Sequence, residues 1–561
     1  MLGTISEKRE YVSLLVFAGE IERSRTYAYQ LFCEHPNDHR TWMALSTSVL
    51  AFGALPSESK DLWLTNVEVN AAVEVMLPSG ERRKHVIEID DELFPLRQEN
   101  IAVDHPLTQV LLGLKEGDTF EWPLKGQNGD ASIVCIKHKA LDAFHFVMQR
   151  FEEQFPDADG FSSIKCDPTK EDGLEEIMDL LRQRAQYGKQ KVTEYESGSH
   201  PLALLGVTLG LDPIDAYLGI HRESGAAVKV SSCKSEDQAN ASAWLKVARK
   251  KGMLLDALSI YLLRRLDLTD VVESEFGKIG VTQNTLDIFA RRLHEAQTMG
   301  GFDDDGKRRA GSMSFQDGRI VLSEMSEEEI KEKVSLHQAD LDWLQASCEL
   351  IPAVAQEDPA DEIIRVRNSP GGVFLDDLFA CDGSGRVLVS DDLHLRQWGQ
   401  GLFGVKGVWI QALLFYLEEE LLVSPQKVVS ATVQLLGAGE HALSISSFRL
   451  LIGAEMLTSG ELNEQEFQLL SSVIGQPGAE MASHIKVALE VINGLWKTGS
   501  TLPVRYRATS IILRNLVRHQ GSNSAVVMDT IQTQAKLPDI REYLKNWRTG
   551  HFIVHAESSE T

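Results

Sequence analysis

Three apolar residues, Val387-Leu388-Val389, stop at Ser390 and the paired carboxylates Asp391-Asp392, and a new helix start, Leu393-His394-Leu395-Arg396, follows directly. The same grammar recurs across residues 240 to 430. Gly252-Met253-Leu254-Leu255 ends at Asp256 ahead of a helix over 257–266. Ile279-Gly280-Val281 precedes a helix over 284–293, and Gly371-Gly372-Val373-Phe374-Leu375 runs into Asp376-Asp377. Short apolar strands alternating with helices predict a parallel sheet. In such sheets ligands bind beyond the carboxyl ends of the strands, which is where these acids fall. Adjacent carboxylates repel unless a proton or a cation intervenes. The pattern therefore points to a hard divalent cation and to phosphodiester chemistry.

The chain has 561 residues, enough for about three or four domains. Its 43% hydrophobic and 25% charged content is that of a globular protein. No apolar run approaches the roughly 18 residues of a membrane span. The start, Met1-Leu2-Gly3-Thr4-Ile5-Ser6-Glu7-Lys8, lacks the basic and apolar regions of a signal peptide. The six cysteines are scattered without a CxxC pair. That excludes a zinc knuckle or a disulfide framework and predicts a reducing, cytoplasmic setting. A net charge of -26 argues against non-specific coating of nucleic acid, which depends on phosphate neutralisation. Phe302-Asp303-Asp304-Asp305-Gly306-Lys307 has no Glu at the spacing that would complete a calcium loop, so it is expected to be a solvated loop.

Five regions follow from periodicity. Residues 1–55 read as helices, with Tyr11, Leu14, Leu15 and Ala18 on one face, then Ala28 and Leu31, a stop at Pro36-Asn37-Asp38, and Trp42, Leu45 and Val49 on another face. Residues 62–140 change to strand alternation at Val67, Val69, Ala71, Val73 and Val75. A turn at Pro78-Ser79-Gly80, a short helix over His105–Leu112 closed by Gly113, and a last strand over Ala131–Ile136 follow. Residues 141–245 form a helical connector, with stripes Phe144, Phe146, Val147, Phe151 and Leu174, Ile177, Leu180, Leu181 expected in cores. Residues 246–450 carry the alternating sheet, with an insertion near 300–370. Residues 455–561 are helical, and Arg505, Arg507, Arg514 and Arg518 make one helix basic. That helix is expected to meet an acidic patch of the same chain. Lys246, Arg249, Lys250 and Lys251 read as a solvated face. Trp547 to Phe552 is aromatic enough to dock, and Glu557 to Thr561 reads as a loose end.

Several of these stretches resemble known families. Ala28, Pro36-Asn37-Asp38 and Trp42 resemble one and a half tetratricopeptide units, which cannot bury their own faces alone. HPLTQVLLGLKEGDTFEWP, from His105 to Pro123, resembles the carboxyl-terminal domain of the GreA/GreB transcript-cleavage factors. That resemblance implies an FKBP-like β domain acting as a docking surface, for RNA polymerase or another protein. No coiled coil precedes it, so it does not imply transcript cleavage. The acidic order resembles the PIN-domain nucleases, which implies an α/β/α sandwich with three or four gathered carboxylates. Matched residue by residue, Asp256 is the first-strand acid and Asp376 the acid opening the helix before the last motif. Asp392 is the acid three positions before a Leu, here Leu395, and Asp377 and Asp391 are adjacent alternatives. For the helical acid the candidate is Asp287, with Glu273 and Glu275 behind it. The whole order is similar to the subfamily that joins tetratricopeptide repeats, a GreA/GreB-like domain and a PIN domain.

The fold class expected is thus multidomain α and α/β. The resemblance implies a metal-dependent endoribonuclease using Mg2+ or Mn2+ on an RNA substrate. It would be localised by a GreA/GreB-like adaptor and would serve a bacterial conflict or RNA-processing system. Asp256, Asp376, Asp392 and Asp287 would be its catalytic acids, and Arg396 would contact phosphate, because a guanidinium pairs bidentately with it. The alternative is a non-catalytic interaction scaffold on a decayed PIN fold. Any single Asp at a helix start is a common cap, so the gathering of three separates the two readings.

Overall fold

The computed structural model describes residues 3–52, 62–90, 92–123, 129–156, 158, 175–198, 200–224, 226–302, 307–316, 319–354, 360–367, 372–477, 480–497 and 502–553. Leu174, Ser199, Asp303 to Gly306, Gly371 and Glu557 to Thr561 lie outside these residues. The described residues are mostly helical, with 24 α-helices and 15 short strands, a multidomain α/β arrangement. Two compact units comprise residues 1–183 with 292–337, and residues 184–291 with 338–561. Residues 292–337, which overlap the insertion expected near 300–370, group with the first unit.

In the first unit, helices Ile5–Phe17, Ile21–Glu34 and His39–Phe52 lead the chain. A capping box at Thr4 and Glu7 starts the first of them. Val12 and Leu15 are buried, whereas Leu14, expected on the apolar face, is 64% exposed. Tyr29, Phe32, Trp42 and Leu45 share a core with Val147 and Phe151 of helix Lys139–Gln154. The Trp42 ring stands 5.6 Å from Phe146 and 5.0 Å from Phe155. The leading helices therefore cover their apolar face with a helix from beyond residue 138. Between them lies a five-stranded sheet in the order 100–102, 82–88, 71–76, 130–138, 119–121. It is antiparallel except for the pair 82–88 and 100–102. Alternating Val73, Val75, Ile133 and Ile136 pack with Leu107 and Leu111 of helix Pro106–Leu111. Residues 301–325 add a three-stranded antiparallel sheet built on the hairpin Arg308–Gln316 with Arg319–Met325. In helix Glu175–Ser197, Ile177, Leu180 and Leu181 are half-buried rather than core.

The second unit holds the parallel sheet. Numbered along the chain, its strands Met253–Leu255, Gly280–Val281, Glu349–Leu350, Val387–Val389 and Gly407–Val408 stand in the order 3-2-1-4-5, all parallel. Every residue of four of these strands is buried and only the edge strand Glu349–Leu350 is open. Strands this apolar must be covered on both faces. Leu254 and Leu388 pack against Phe374, Leu375 and Leu378 and against Leu395 of the following helices. The chain first winds one way from Met253–Leu255 and then returns to its other side at Val387–Val389. The topological switch point therefore lies between those two strands, whose carboxyl ends lead to Asp256 and to Ser390-Asp391-Asp392. Beyond the sheet, helix Pro425–Gly437 sends Val429 and Val433 into the core of the carboxyl-terminal helices with Leu450, Phe467, Ile492, Leu516 and Leu544. Trp547 docks there, its Nε1 donating to Ser510 Oγ at 2.9 Å, while Phe552 is exposed.

Candidate active site

Asp256 caps helix Ala257–Arg265, its Oδ1 accepting the Ser259 N–H at 2.7 Å. Asp392 caps helix Leu393–Phe403, its Oδ1 accepting the N–H groups of His394 at 2.9 Å and Leu395 at 3.3 Å. Asp377 lies in the first turn of helix Leu375–Ser384 and accepts the Thr282 hydroxyl at 2.6 Å. Each acid thus satisfies a helix start or a neighbouring hydroxyl, and the switch point adds something no cap requires. Asp256, Asp377 and Asp392 line one cavity of about 30 Å³, together with Asn284, Ile288, Phe374 and Leu395. That is room for one or two water-sized groups.

All three acids are buried, and burial raises their affinity for protons. Asp377 is pushed up to about 8, first by burial and then by the charges of Asp256 and Asp376, against the Thr282 hydrogen bond. Asp392 rises to about 6 by burial, held back by the N–H groups of Leu202, Leu395 and His394. Asp256 is raised by burial, against hydrogen bonds from Ser390 and Ser259. Clustered desolvated carboxyls of this kind lower their energy by taking up a proton or a cation.

Other expected site residues stand elsewhere. Asp376 turns out to a fork from Arg367, whose Nε is 2.9 Å from its Oδ1, so its sequence neighbour Asp377 is the one facing the cavity. Asp287 is exposed and accepts from Gln283 Nε2 at 2.7 Å, and Asn284 and Ile288 of the same helix take the cavity wall. Glu275 pairs with Arg249 at 2.9 Å, and neither it nor Glu273 lines the cavity. Asp391 is fully buried away from the cavity, accepting the Ile410 N–H at 2.6 Å and sharing a hydrogen bond with Glu440. Arg396, expected to reach phosphate, is buried. Its guanidinium donates to the carbonyls of Ser390 and Val230 and lies 5.2 Å from the Trp409 ring centre. It braces the strand end instead. Arg264 and Arg265 are likewise engaged, both on Asp340, at 3.1 and 2.8 Å.

The sequence reading missed Thr282, Asn284 and Leu202. The first two had a readable signal, since they follow the apolar Ile279-Gly280-Val281 as Asp256 follows Met253–Leu255. Leu202 had none, because it arrives from 190 residues before Asp392.

Three carboxyl groups are hard oxygen donors of the kind Mg2+ and Mn2+ take. Thr285 Oγ1, buried on the helix that brings Asn284 and Ile288 to the cavity wall, has no hydrogen-bond partner. The donors fit a divalent cation in kind. In the arrangement described, no three His, Cys, Asp or Glu side chains among the described residues are gathered closely enough to chelate one, and both oxygens of Asp392 accept backbone N–H groups.

An open parallel sheet with buried acids at its switch point goes with a sequence match that points to the class: residues 254–401 match a PIN-domain model. The family they match is the PIN domain associated with the TPR-GreAB-C-PIN system, and the matched span contains Asp256, Asn284, Asp377 and Asp392. No curated protein and no solved structure matches the chain significantly.

Proposed function

We propose that this chain is a metal-dependent endoribonuclease of the PIN type, with Asp256, Asp377 and Asp392 as its metal-binding acids. The observation that carries the reading is the lining of one switch-point cavity by these three buried carboxyls. Mg2+ or Mn2+ held there would activate water and neutralise charge developing at the scissile phosphate. Asp256 and Asp392 are positioned through the helices they cap, so their oxygens are fixed before any ligand arrives. Asn284 offers a neutral carboxamide at the same wall. The proposed setting is the cytoplasm, within a bacterial conflict or RNA-processing system. The helices of residues 5–52 and the sheet of residues 71–138 would serve as the protein-binding adaptor, with RNA polymerase as one partner.

The second reading, a scaffold on a decayed PIN fold, draws support from Asp287, whose carboxyl is turned away from the cavity. An RNA cleavage assay with Mn2+ separates the two. The unaltered protein is expected to cut, and Asp392→Asn and Asp377→Asn are each expected to lose roughly a hundredfold or more in rate. Equal cleavage by the variants and the unaltered protein would remove the nuclease assignment.

A further inference from the structure

Two helices outside the matched span, Leu202–Leu209 and Pro213–Ser224, lie over the acid cavity. Leu202, Ala203 and Pro213 form part of its wall, and the backbone N–H of Leu202 donates to Asp392 Oδ2. The remaining donors to Asp392, the N–H groups of His394 and Leu395, reach Oδ1 and belong to the helix that Asp392 caps. Only Oδ2 can therefore be released without uncapping that helix, and it is released only if Leu202 moves.

The two helices are anchored unequally. In Pro213–Ser224, Ile214 and Tyr217 are fully buried, and the Tyr217 hydroxyl donates to Glu440 Oε1 at 3.1 Å. In Leu202–Leu209 the buried residues are Leu202, Leu205 and Gly206, Ala203 and Leu204 are partly buried against the sheet core, and Val207 is exposed. The pair is bent by 91° at a joint that begins with Gly210 at φ +69°, a left-handed conformation that glycine adopts freely. An arm tied down by a buried tyrosine, an arm with one exposed face and a glycine joint are the parts of a hinge.

We propose that helix Leu202–Leu209 is a lid that holds the metal site shut. In the closed state its Leu202 N–H takes the place of a cation on Asp392, and its first turn closes the cavity to a nucleic-acid strand. Opening swings it about residues 210–212 on the fixed Pro213–Ser224 arm and frees Oδ2. The lid rests on the metal-nuclease reading, and the test keeps the two apart.

Mn2+ is titrated into the full chain, with free Mn2+ followed by its paramagnetic resonance signal. Leu202→Pro removes the capping N–H. Proline suits the first position of a helix, and Pro201 already has the φ of -58° and ψ of 149° that a following proline requires. Leu202→Ala keeps the N–H but loosens the seat. Because apparent affinity scales with the fraction of open molecules, both variants are expected to bind Mn2+ about tenfold or more tightly than the unaltered protein. Circular dichroism confirms that each variant is folded. In the unaltered protein, amide hydrogen exchange over residues 202–209 is expected to accelerate when Mn2+ is added. Unchanged or weaker Mn2+ binding by the folded variants, or exchange over 202–209 that ignores Mn2+, overturns the lid and leaves the nuclease reading standing. Failure of the unaltered protein and both variants to bind Mn2+ overturns both.

Discussion

Asp376 and Asp377 are adjacent in sequence and opposite in environment. One is partly buried against Arg367, and the other is buried at the cavity, pushed up to about 8. The unfolded chain would release the Asp377 proton at about 3.9. The folded state therefore binds that proton more tightly, and its contribution to stability is full below the unfolded value and lost as pH rises through about 8. Asp391 and Asp392, each raised to about 6, act in the same direction over the lower part of that window. Metal-free protein is thus expected to melt at a lower temperature as pH climbs from about 4 to about 8, and Asp377→Asn should flatten the upper half of the profile. A calorimetric profile with the same slope in the variant would show that Asp377 is not the group responsible. Arg396 gives a second prediction at this scale. It is a buried cation bonded to two carbonyls near Asp391 and Asp392, so Arg396→Ala is expected to cost about 3–5 kcal/mol in denaturant unfolding. A cost near zero with weakened RNA binding would restore it as a phosphate contact. Sequence alone placed an acid pair at each of these positions. At 376 and 377 it could not tell which member faced inward, because a one-residue step along a helix turns a side chain by about a quarter of a circle.

Strands ending in Asp were legible because both halves of that signal are local. A run such as Met253–Leu255 is too apolar to sit outside a sheet, and an Asp after it makes a good helix cap. The helix at residues 106–111 and its Gly113 turn were legible for the same reason. The half-buried stripe of Ile177, Leu180 and Leu181 was less so, since an apolar face marks burial without naming its partner. The leading helices posed the same question. Their Trp42 face needed a cover, and helix Lys139–Gln154, about a hundred residues later, supplies it. In sequence, the hairpin Leu202–Ser224 belongs to the helical connector of residues 141–245. Its place over the acids depends on a backbone hydrogen bond that has no sequence signature.

Across the molecule, apparent regions and actual cores divide differently. Helix Pro425–Gly437 follows the sheet in sequence yet puts Val429 and Val433 among Ile492, Leu516 and Leu544. A fragment of residues 184–450 would expose that apolar face, and size-exclusion chromatography is expected to find it aggregated while the full chain is not. A monodisperse fragment would mean that the sheet and its last helices form a core sufficient to themselves. From its residues alone, this chain determined a parallel α/β region, the strand ends that carry acids, and the helical character of both its beginning and its end. These follow from propensity, periodicity and capping, which act over a few residues. Only the folded chain decided the strand order 3-2-1-4-5, which put Asp256 and Asp392 at one switch point. It alone turned Asp377 inward, buried Arg396 and brought Leu202 onto Asp392. Those outcomes depend on contacts between separate elements, as far apart in sequence as Leu202 and Asp392, which local chemistry permits but does not select.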